Sequence, residues 1–183
     1  GTPSTERPDA FWNADLLEAA TELVAVLREV RPQVLVTYDE NGDYGHPDHI
    51  QAHRVATYAT TLASVGTYRP DLGEPWDVAK VYWTALPVSV MQKGIHAMVA
   101  AGGTGFFGAT DASELDFVKP YEVVTTLVDA RDREPQKLAA MLAYPTQMTV
   151  DGPFFALSNN VGREAWGVEY FRLVKGPLVR GED

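Results

Sequence analysis

The sequence predicts an α/β protein with a mostly parallel sheet and flanking helices, and three observations support this class. Apolar residues recur at three- and four-residue steps between Asn13 and Pro32, which indicates an amphipathic helix. The run 33–38, rich in branched apolar residues, is typical of a buried parallel strand. A loop at 39–45 and a second helix at 47–63 follow directly, and this alternation of elements is the pattern of an α/β sheet.

Asn13 is the predicted N-cap of the first helix, and Pro32 is expected to end it. The charged residues Glu18, Glu22, Arg28 and Glu29 are predicted to lie outside the apolar face, which comprises Leu16, Leu17, Ala20, Leu23, Val24, Leu27 and Val30. The loop 39–45 has the Gly and Asn content of a turn. Pro47 suits the first turn of the second helix, where its missing N–H has no cost.

The rest of the chain continues the alternation of strands and helices. We predict, in order, a loop over 64–78, a strand over 80–84, a helix over about 88–101, a Gly-rich stretch at 102–108, an edge strand over 121–128, a helix over 132–143 and a strand over 168–174. We expect one domain, in which 1–85 belongs to the sheet core and 86–183 forms a smaller C-terminal α/β lobe.

Composition excludes several classes of partner and ligand. The 183 residues hold 15 Lys and Arg against 25 Asp and Glu, and the net charge of −10 disfavours nucleic acid and anionic membranes. No apolar run is long enough to predict a membrane span. The sequence has no cysteine, so a bound metal must be held by His, Asp or Glu. The absence of cysteine also fits a cytoplasmic protein.

The chemistry-bearing segment is Tyr44-Gly45-His46-Pro47-Asp48-His49. It lies where the first strand ends and the second helix begins, the place where open α/β sheets bind ligands. His46 and His49 are three residues apart, so both imidazoles can face one crevice. One can bind a metal while the other donates a proton or stabilises an oxyanion. Asp48 can orient an imidazole, and Tyr44 offers a phenolic O–H.

Several residues of this region also allow simpler roles. A single histidine at a helix start is more often a cap or a surface residue. His53 could pair with His49 as a metal ligand, but we expect a polar residue on the helix flank. Tyr38 and Asp39 are expected to be turn residues. A calcium loop at 39–50 is rejected because Tyr44 and Ile50 replace the required Gly and Glu. A dinucleotide fingerprint at Gly103, Gly105 and Gly108 is rejected because a helix precedes it.

The motif resembles the His-Pro-Asp-His motif of the PIG-L/LmbE-type zinc deacetylases. A narrower resemblance is to the branch of mycothiol biosynthesis, and it extends to 7–15, 31–39 and 152–159, nearly the whole chain. The resemblance implies a Rossmann-like fold and one zinc ion per complete active site. It also implies a cytoplasmic enzyme that hydrolyses the acetamide of an N-acetylglucosaminyl-inositol glycoside, a small-molecule substrate.

The resemblance also implies roles for the residues of the motif. His49 would be the zinc ligand and His46 the general acid or electrostatic stabiliser. Asp48 would orient an imidazole, and Tyr44 would donate a hydrogen bond to the oxyanion. The chain departs from the family because the earlier His-Pro-Asp-Asp motif, which supplies two zinc ligands and the general base, is not found in it. We therefore expect the chain to be the C-terminal two-thirds of one deacetylase domain, inactive without an N-terminal segment of the same protein.

Three alternatives stay open beside the deacetylase. One is a mycothiol S-conjugate amidase, which shares the metal site; Gly45 and the segment ending Ser158-Asn159-Asn160 favour the deacetylase over it. The second is a metal-free glycan-binding domain, and the third is a fragment without function of its own. Imidazole with carboxylates would also suit iron, so zinc depends on the resemblance.

Overall fold

A computed structural model describes residues 5–100, 102–146 and 167–178 of the chain. Four strands and four main helices are seen there, with short 3-10 turns between them. Their bounds are α1 Leu16–Val30, β1 Val34–Thr37, α2 Pro47–Ala63, β2 Lys80–Thr84, α3 Val88–Ala100, β3 Thr126–Asp129, α4 Glu134–Leu142 and β4 Val168–Lys175. This confirms the α/β class.

The chain divides into two compact units. The described part of the first is 5–84 with 172–178, and that of the second is 85–100, 102–146 and 167–171. Residues 152–159 and Ser158–Asn160, which entered the sequence analysis, lie outside the described residues. None of the helices in the described part of the chain combines the length and the apolar character needed to cross a bilayer.

The first helix begins two residues later than predicted. Its N-cap is Asp15, whose carboxylate accepts the N–H of Glu18 at 2.8 Å. Asn13 is therefore not the cap; its amide donates to the carbonyls of Thr5 and Arg7. Both residue types cap helices, and the choice between them depends on these contacts with the preceding segment. At the other end, Arg31 adopts a left-handed conformation, φ 52°, just before Pro32.

Helices α1 and α2 pack together over one face of the β1–β2 pair. The strands are parallel, with Leu35 opposite Val81, and both residues contact the cluster that the helices form. The buried members of this cluster are Ala20, Val24, Leu27, Ala59, Ala63, Val78 and Val81. Burial of these side chains, at about 25 cal/mol per Å² of apolar surface, is the main force holding the first unit together.

The prediction that β1 is a buried strand is wrong. Its residues alternate, with Val34 and Val36 exposed and Leu35 and Thr37 half-buried. The strand also stands at the end of the sheet order β1-β2-β4-β3. Branched apolar residues also occur in strands that are covered on one face only, so their presence does not show that a strand is buried.

The prediction that Arg28 lies on the solvent side of α1 is also wrong. Its side chain is only 3% exposed. The guanidinium donates hydrogen bonds to five carbonyls, those of Leu62, Ala63, Val65, Arg69 and Gly73. Three of these lie in or just after the last turn of α2, where helical carbonyls lack partners within the helix. Arg28 therefore caps α2 and attaches the following loop to α1.

The second unit contains α3, α4 and the antiparallel pair of β3 with the first half of β4, in which Leu127 lies opposite Tyr170. The predicted strand at 121–128 forms only in part: Tyr121–Val123 is a 3-10 turn, and β3 begins at Thr126. Among the described strands β3 lies at the edge of the sheet, as predicted. The Gly-rich stretch follows α3 and not a strand, as expected, and α3 packs through Met91, Ile95 and Met98.

We predict that Arg28→Met lowers the free energy of unfolding by about 3 kcal/mol, because several buried carbonyls lose their hydrogen-bond donor. Equilibrium denaturation in urea measures this loss. Arg69→Met is the matched control: Arg69 forms an exposed pair with Asp71 and should change stability by about 0.5 kcal/mol or less. Equal stability of Arg28→Met and the unmodified protein would contradict the capping role.

Candidate active site

The residues predicted to carry chemistry do converge in the first unit, after the carboxyl end of β1. The ring of His49 lies 4.8 Å from that of His46 and 5.1 Å from that of Tyr44, measured between centroids. Tyr44 and His46 are 6.1 Å apart and nearly perpendicular. The three polar rings therefore face one small region at the N-terminus of α2, whose free N–H groups favour negative charge.

His46 is the N-cap of α2. Its Nδ1 accepts the N–H of Asp48 at 3.1 Å, and its carbonyl accepts the N–H groups of His49 and Ile50. A nitrogen that accepts a hydrogen bond carries no proton, so the neutral ring bears its proton on Nε2. The capping role is compatible with the predicted functional role, because the cap uses one nitrogen and leaves the other as a donor.

His49 lies at the centre of the ring cluster. The ring of Tyr38 stacks on it at 4.0 Å with an interplanar angle of 7°. Its Nδ1 is buried and forms no hydrogen bond to any of the described residues. Burial lowers the pKa of His49 below its usual 6.5 and His46 lowers it further, while the Gly42 backbone and the charges of Asp43 and Asp48 oppose this shift. The ring is therefore held neutral, the form that binds metals.

Asp48 contacts a different part of the chain from the one predicted. Its Oδ1 accepts the backbone N–H of Trp12 at 2.9 Å. Gln51, one turn later, donates to the carbonyl of Ala14 at 3.0 Å, and the Arg54 guanidinium lies over the Trp12 ring. Asp48 thus fastens the segment before α1 to the start of α2. It acts on His49 through its charge.

The turn between β1 and α2 is built around Asp39 and Gly42. Asp39 is 3% exposed, and its Oδ1 accepts the N–H groups of Asn41 and Asp43. Gly42 has φ +63°, and a Cβ there would lie 2.6 Å from the nitrogen of Ile50. Only glycine permits this approach of the turn to α2. The carboxylate of Asp39 points into its own turn, which agrees with its prediction as a turn residue.

Sequence reasoning missed the roles of Tyr38 and Thr84. Tyr38 was expected to be only a turn residue, yet it covers one face of His49. Thr84 ends β2, next to the end of β1 in the parallel pair, and donates to Asp43 at 2.8 Å. The position of Thr84 could have indicated this contact, since the carboxyl ends of parallel strands lie at the same edge of a sheet. His53 approaches the Tyr38 carbonyl through Nδ1 at 3.0 Å, in keeping with its expected place on the helix flank.

The two phenols are suited to donate hydrogen bonds. Burial, with the negative charge of Asp43, raises the pKa of Tyr38 and of Tyr44 above the usual 10. Both therefore stay protonated at neutral pH. Tyr44 is more than half exposed, so its O–H can reach a ligand.

His49 satisfies one requirement of a metal site, because its imidazole is neutral and its Nδ1 forms no hydrogen bond in the described part of the chain. Within residues 5–100, 102–146 and 167–178, no three His, Asp or Glu side chains are grouped to hold a metal ion. The described residues therefore supply one suitable metal ligand, and they do not complete the coordination of a metal ion.

The structure combines an α/β fold with a His-Pro-Asp-His motif after the carboxyl end of a strand. Comparison with known proteins identifies a family that is similar to this part of the chain. Residues 4–60 match the family described as PIG-L, GlcNAc-PI de-N-acetylase. This part of the chain, which includes the His-Pro-Asp-His motif, is similar to PIG-L proteins.

Two curated relatives are similar to most of the chain and carry a more specific name. Proteins of Geodermatophilus obscurus and Nocardioides sp. are both 59% identical to this chain, over 96% and 95% of its length. Each is named 1D-myo-inositol 2-acetamido-2-deoxy-alpha-D-glucopyranoside deacetylase. The chain spans 60% and 58% of these two relatives.

A solved structure supports the fold alone. The conserved protein TT1542 from Thermus thermophilus is 24% identical and has a TM-score of 0.55. The match covers 92% of this chain and 63% of that one.

We predict that protonation of His49 destabilises the protein as the pH falls from about 6.5. Below this pH the unfolded chain binds a proton at His49 that the folded chain does not bind. The free energy of unfolding therefore decreases as the pH falls from about 6.5 toward the lowered pKa of the folded state. Denaturation series at several pH values should show the difference between the unmodified protein and His49→Gln shrinking as the pH falls. His96→Gln, at an exposed histidine of the second unit, reports the effect of the substitution itself. A pH-independent difference would contradict a neutral His49.

Proposed function

We propose that the protein to which this chain belongs hydrolyses the acetamide of an N-acetylglucosaminyl-inositol glycoside and releases acetate and the free amine. The observation that carries the proposal is the convergence of Tyr44, His46 and His49 at the N-terminus of α2. The names of the two relatives that are 59% identical support the substrate class.

Hydrolysis of an amide passes through a tetrahedral intermediate whose oxygen is negative. The Nε2–H of His46 and the O–H of Tyr44 are donors on rings that both adjoin His49, and each can stabilise this charge. A single donor of this kind is typically worth about 3 kcal/mol in the transition state. The cap at Nδ1 keeps the His46 donor aimed away from α2.

His49 would hold a zinc ion through its neutral imidazole. Bound zinc would act as a Lewis acid toward the acetyl carbonyl and the attacking water. The remaining ligands and the general base would lie outside the described residues, for which the greater length of the relatives leaves room. Under this proposal, Asp48 positions residues 10–14 beside the site and adjusts the charge around His49.

The test of function uses a chimera that joins this chain to the part of the Geodermatophilus relative without a counterpart here. We expect acetate release from N-acetylglucosaminyl-inositol at a higher kcat/KM than cleavage of a mycothiol S-conjugate. The unmodified relative is the positive control. A preference for the conjugate would identify an amidase, and sugar binding without acetate release would identify a glycan-binding protein.

Substitutions of His46 and His49 in the chimera should differ in their effects on zinc content and turnover. We expect His49→Ala to lose bound zinc, measured by elemental analysis, because a metal ligand is removed. His46→Ala should keep zinc and lose turnover by roughly 10²- to 10³-fold, the usual cost of one oxyanion donor. His96→Ala, an exposed histidine of the second unit, is the matched control and should change neither. Normal turnover of His46→Ala would refute its catalytic role.

A further inference from the structure

Asp43, the residue before Tyr44, has a backbone conformation that side-chain-bearing residues avoid. Its φ is 58° and its ψ is −97°, inside the turn Gly42–Gly45. Such conformations are costly for residues with a Cβ and persist where the surroundings enforce them, often at functional sites. The contacts that enforce this one therefore indicate what it serves.

Two hydrogen bonds hold Asp43 from opposite sides. The Oδ1 of Asp39 accepts its backbone N–H at 2.9 Å, and the hydroxyl of Thr84 donates to its Oδ1 at 2.8 Å. On the preceding residue, Gly42 lies against His49 and Ile50 so closely that a Cβ would overlap them. The turn is thus attached at once to the end of β1, the end of β2 and the first turn of α2.

Thr84 is the member of this set that is distant in sequence. It follows Trp83, which pairs with Thr37 in the parallel β1–β2 ladder, so its hydroxyl stands on a rigid strand end. The Thr84–Asp43 bond spans 41 positions of the chain. It ties the orientation of the turn to the sheet.

Tyr44 depends on this attachment. Its side chain is 57% exposed, yet its ring lies 5.1 Å from His49 at 74° and 6.1 Å from His46 at 80°. The peptide that joins Asp43 to Tyr44 sets where the Tyr44 Cα lies, so fixing Asp43 restricts the reach of the phenol. A misplacement of about 1 Å in a catalytic group can cost about 10²-fold in rate.

We propose that Asp43 and Thr84 are a positioning pair that holds the Tyr44 phenol against His46 and His49. The hydrogen bond from the Thr84 hydroxyl provides the attachment, and the negative charge of Asp43 is not required for it. The kinetic consequence of the pair rests on the proposed function, whereas the placement of Tyr44 is independent of it.

Placement is tested by NMR on the 183-residue chain with labelled tyrosine rings, the Tyr44 signals being assigned by their loss in Tyr44→Phe. Adjacent imidazole rings shift the ring signals of a fixed Tyr44. Thr84→Val removes the hydroxyl at constant shape and should move these signals toward free tyrosine, while Thr84→Ser should leave them in place. Unchanged signals in Thr84→Val would overturn the proposal.

Asp43 supplies a second pair of variants, which matters if Thr84→Val folds poorly. Asn keeps the acceptor oxygen and tolerates left-handed backbone, so Asp43→Asn should retain the signals of the unmodified protein. Asp43→Ala should lose them. If Asn behaves like Ala, charge and not the hydrogen bond positions Tyr44, and the proposal is wrong.

Kinetics on the chimera test the consequence. Thr84→Val should lower kcat about ten- to a hundredfold with little change in KM, and Thr84→Ser should restore it. In the Tyr44→Phe background Thr84→Val should have no further effect, because the two substitutions remove the same contribution. Additive losses would overturn the link to Tyr44. Absence of any acetate release by the chimera would refute the proposed function, while the NMR result would still decide the positioning.

Discussion

The close approach of Gly42 to the first turn of α2 is the constraint on which the site depends. A Cβ at this position would lie within 3 Å of both His49 and Ile50. Because the turn can come this near, β1 passes into α2 without a long connection, and the ring of Tyr38 at the strand end reaches the face of His49. The same approach brings the Asp39 carboxylate under the turn, where it satisfies two backbone N–H groups. Side chains that bear chemistry are thereby placed on a rigid support.

The ring cluster works as an electrostatic unit. Burial and the adjacent His46 keep His49 neutral, and burial with the charge of Asp43 keeps Tyr38 and Tyr44 protonated. An unprotonated nitrogen and two protonated phenols then stand side by side at the positive end of a helix. The phenols and the helix N-terminus favour developing negative charge near Tyr44, and the neutral His49 ring places a nitrogen lone pair beside them. Asp43 and Asp48 supply the nearby negative charge.

Local patterns predicted the elements well, and the errors share one cause. The bounds of α2 and β2 agree with the sequence prediction because Pro47 and the branched run at 80–84 are strong local signals. Asn13 was mistaken for the cap that Asp15 provides, since both types accept the same bond. Arg28 was placed on the surface by its charge, although five carbonyls, all from residues 62–73, make its burial favourable. In both cases contacts outside the helix decided the outcome: those of Asn13 with Thr5 and Arg7, and those of Arg28 with carbonyls 34 to 45 positions away.

The sequence by itself determined the α/β class, the position of the motif between strand and helix, and the convergence of Tyr44, His46 and His49. It could do so because these depend on spacing within one turn and one helix start. The tertiary structure decided that Tyr38 covers His49, that Asp48 binds the backbone of Trp12, and that Thr84 holds Asp43. Each of these contacts joins residues 11 to 41 positions apart. Their formation depends on the packing of α1, α2 and the β1–β2 pair, and no local pattern of residue types encodes that packing.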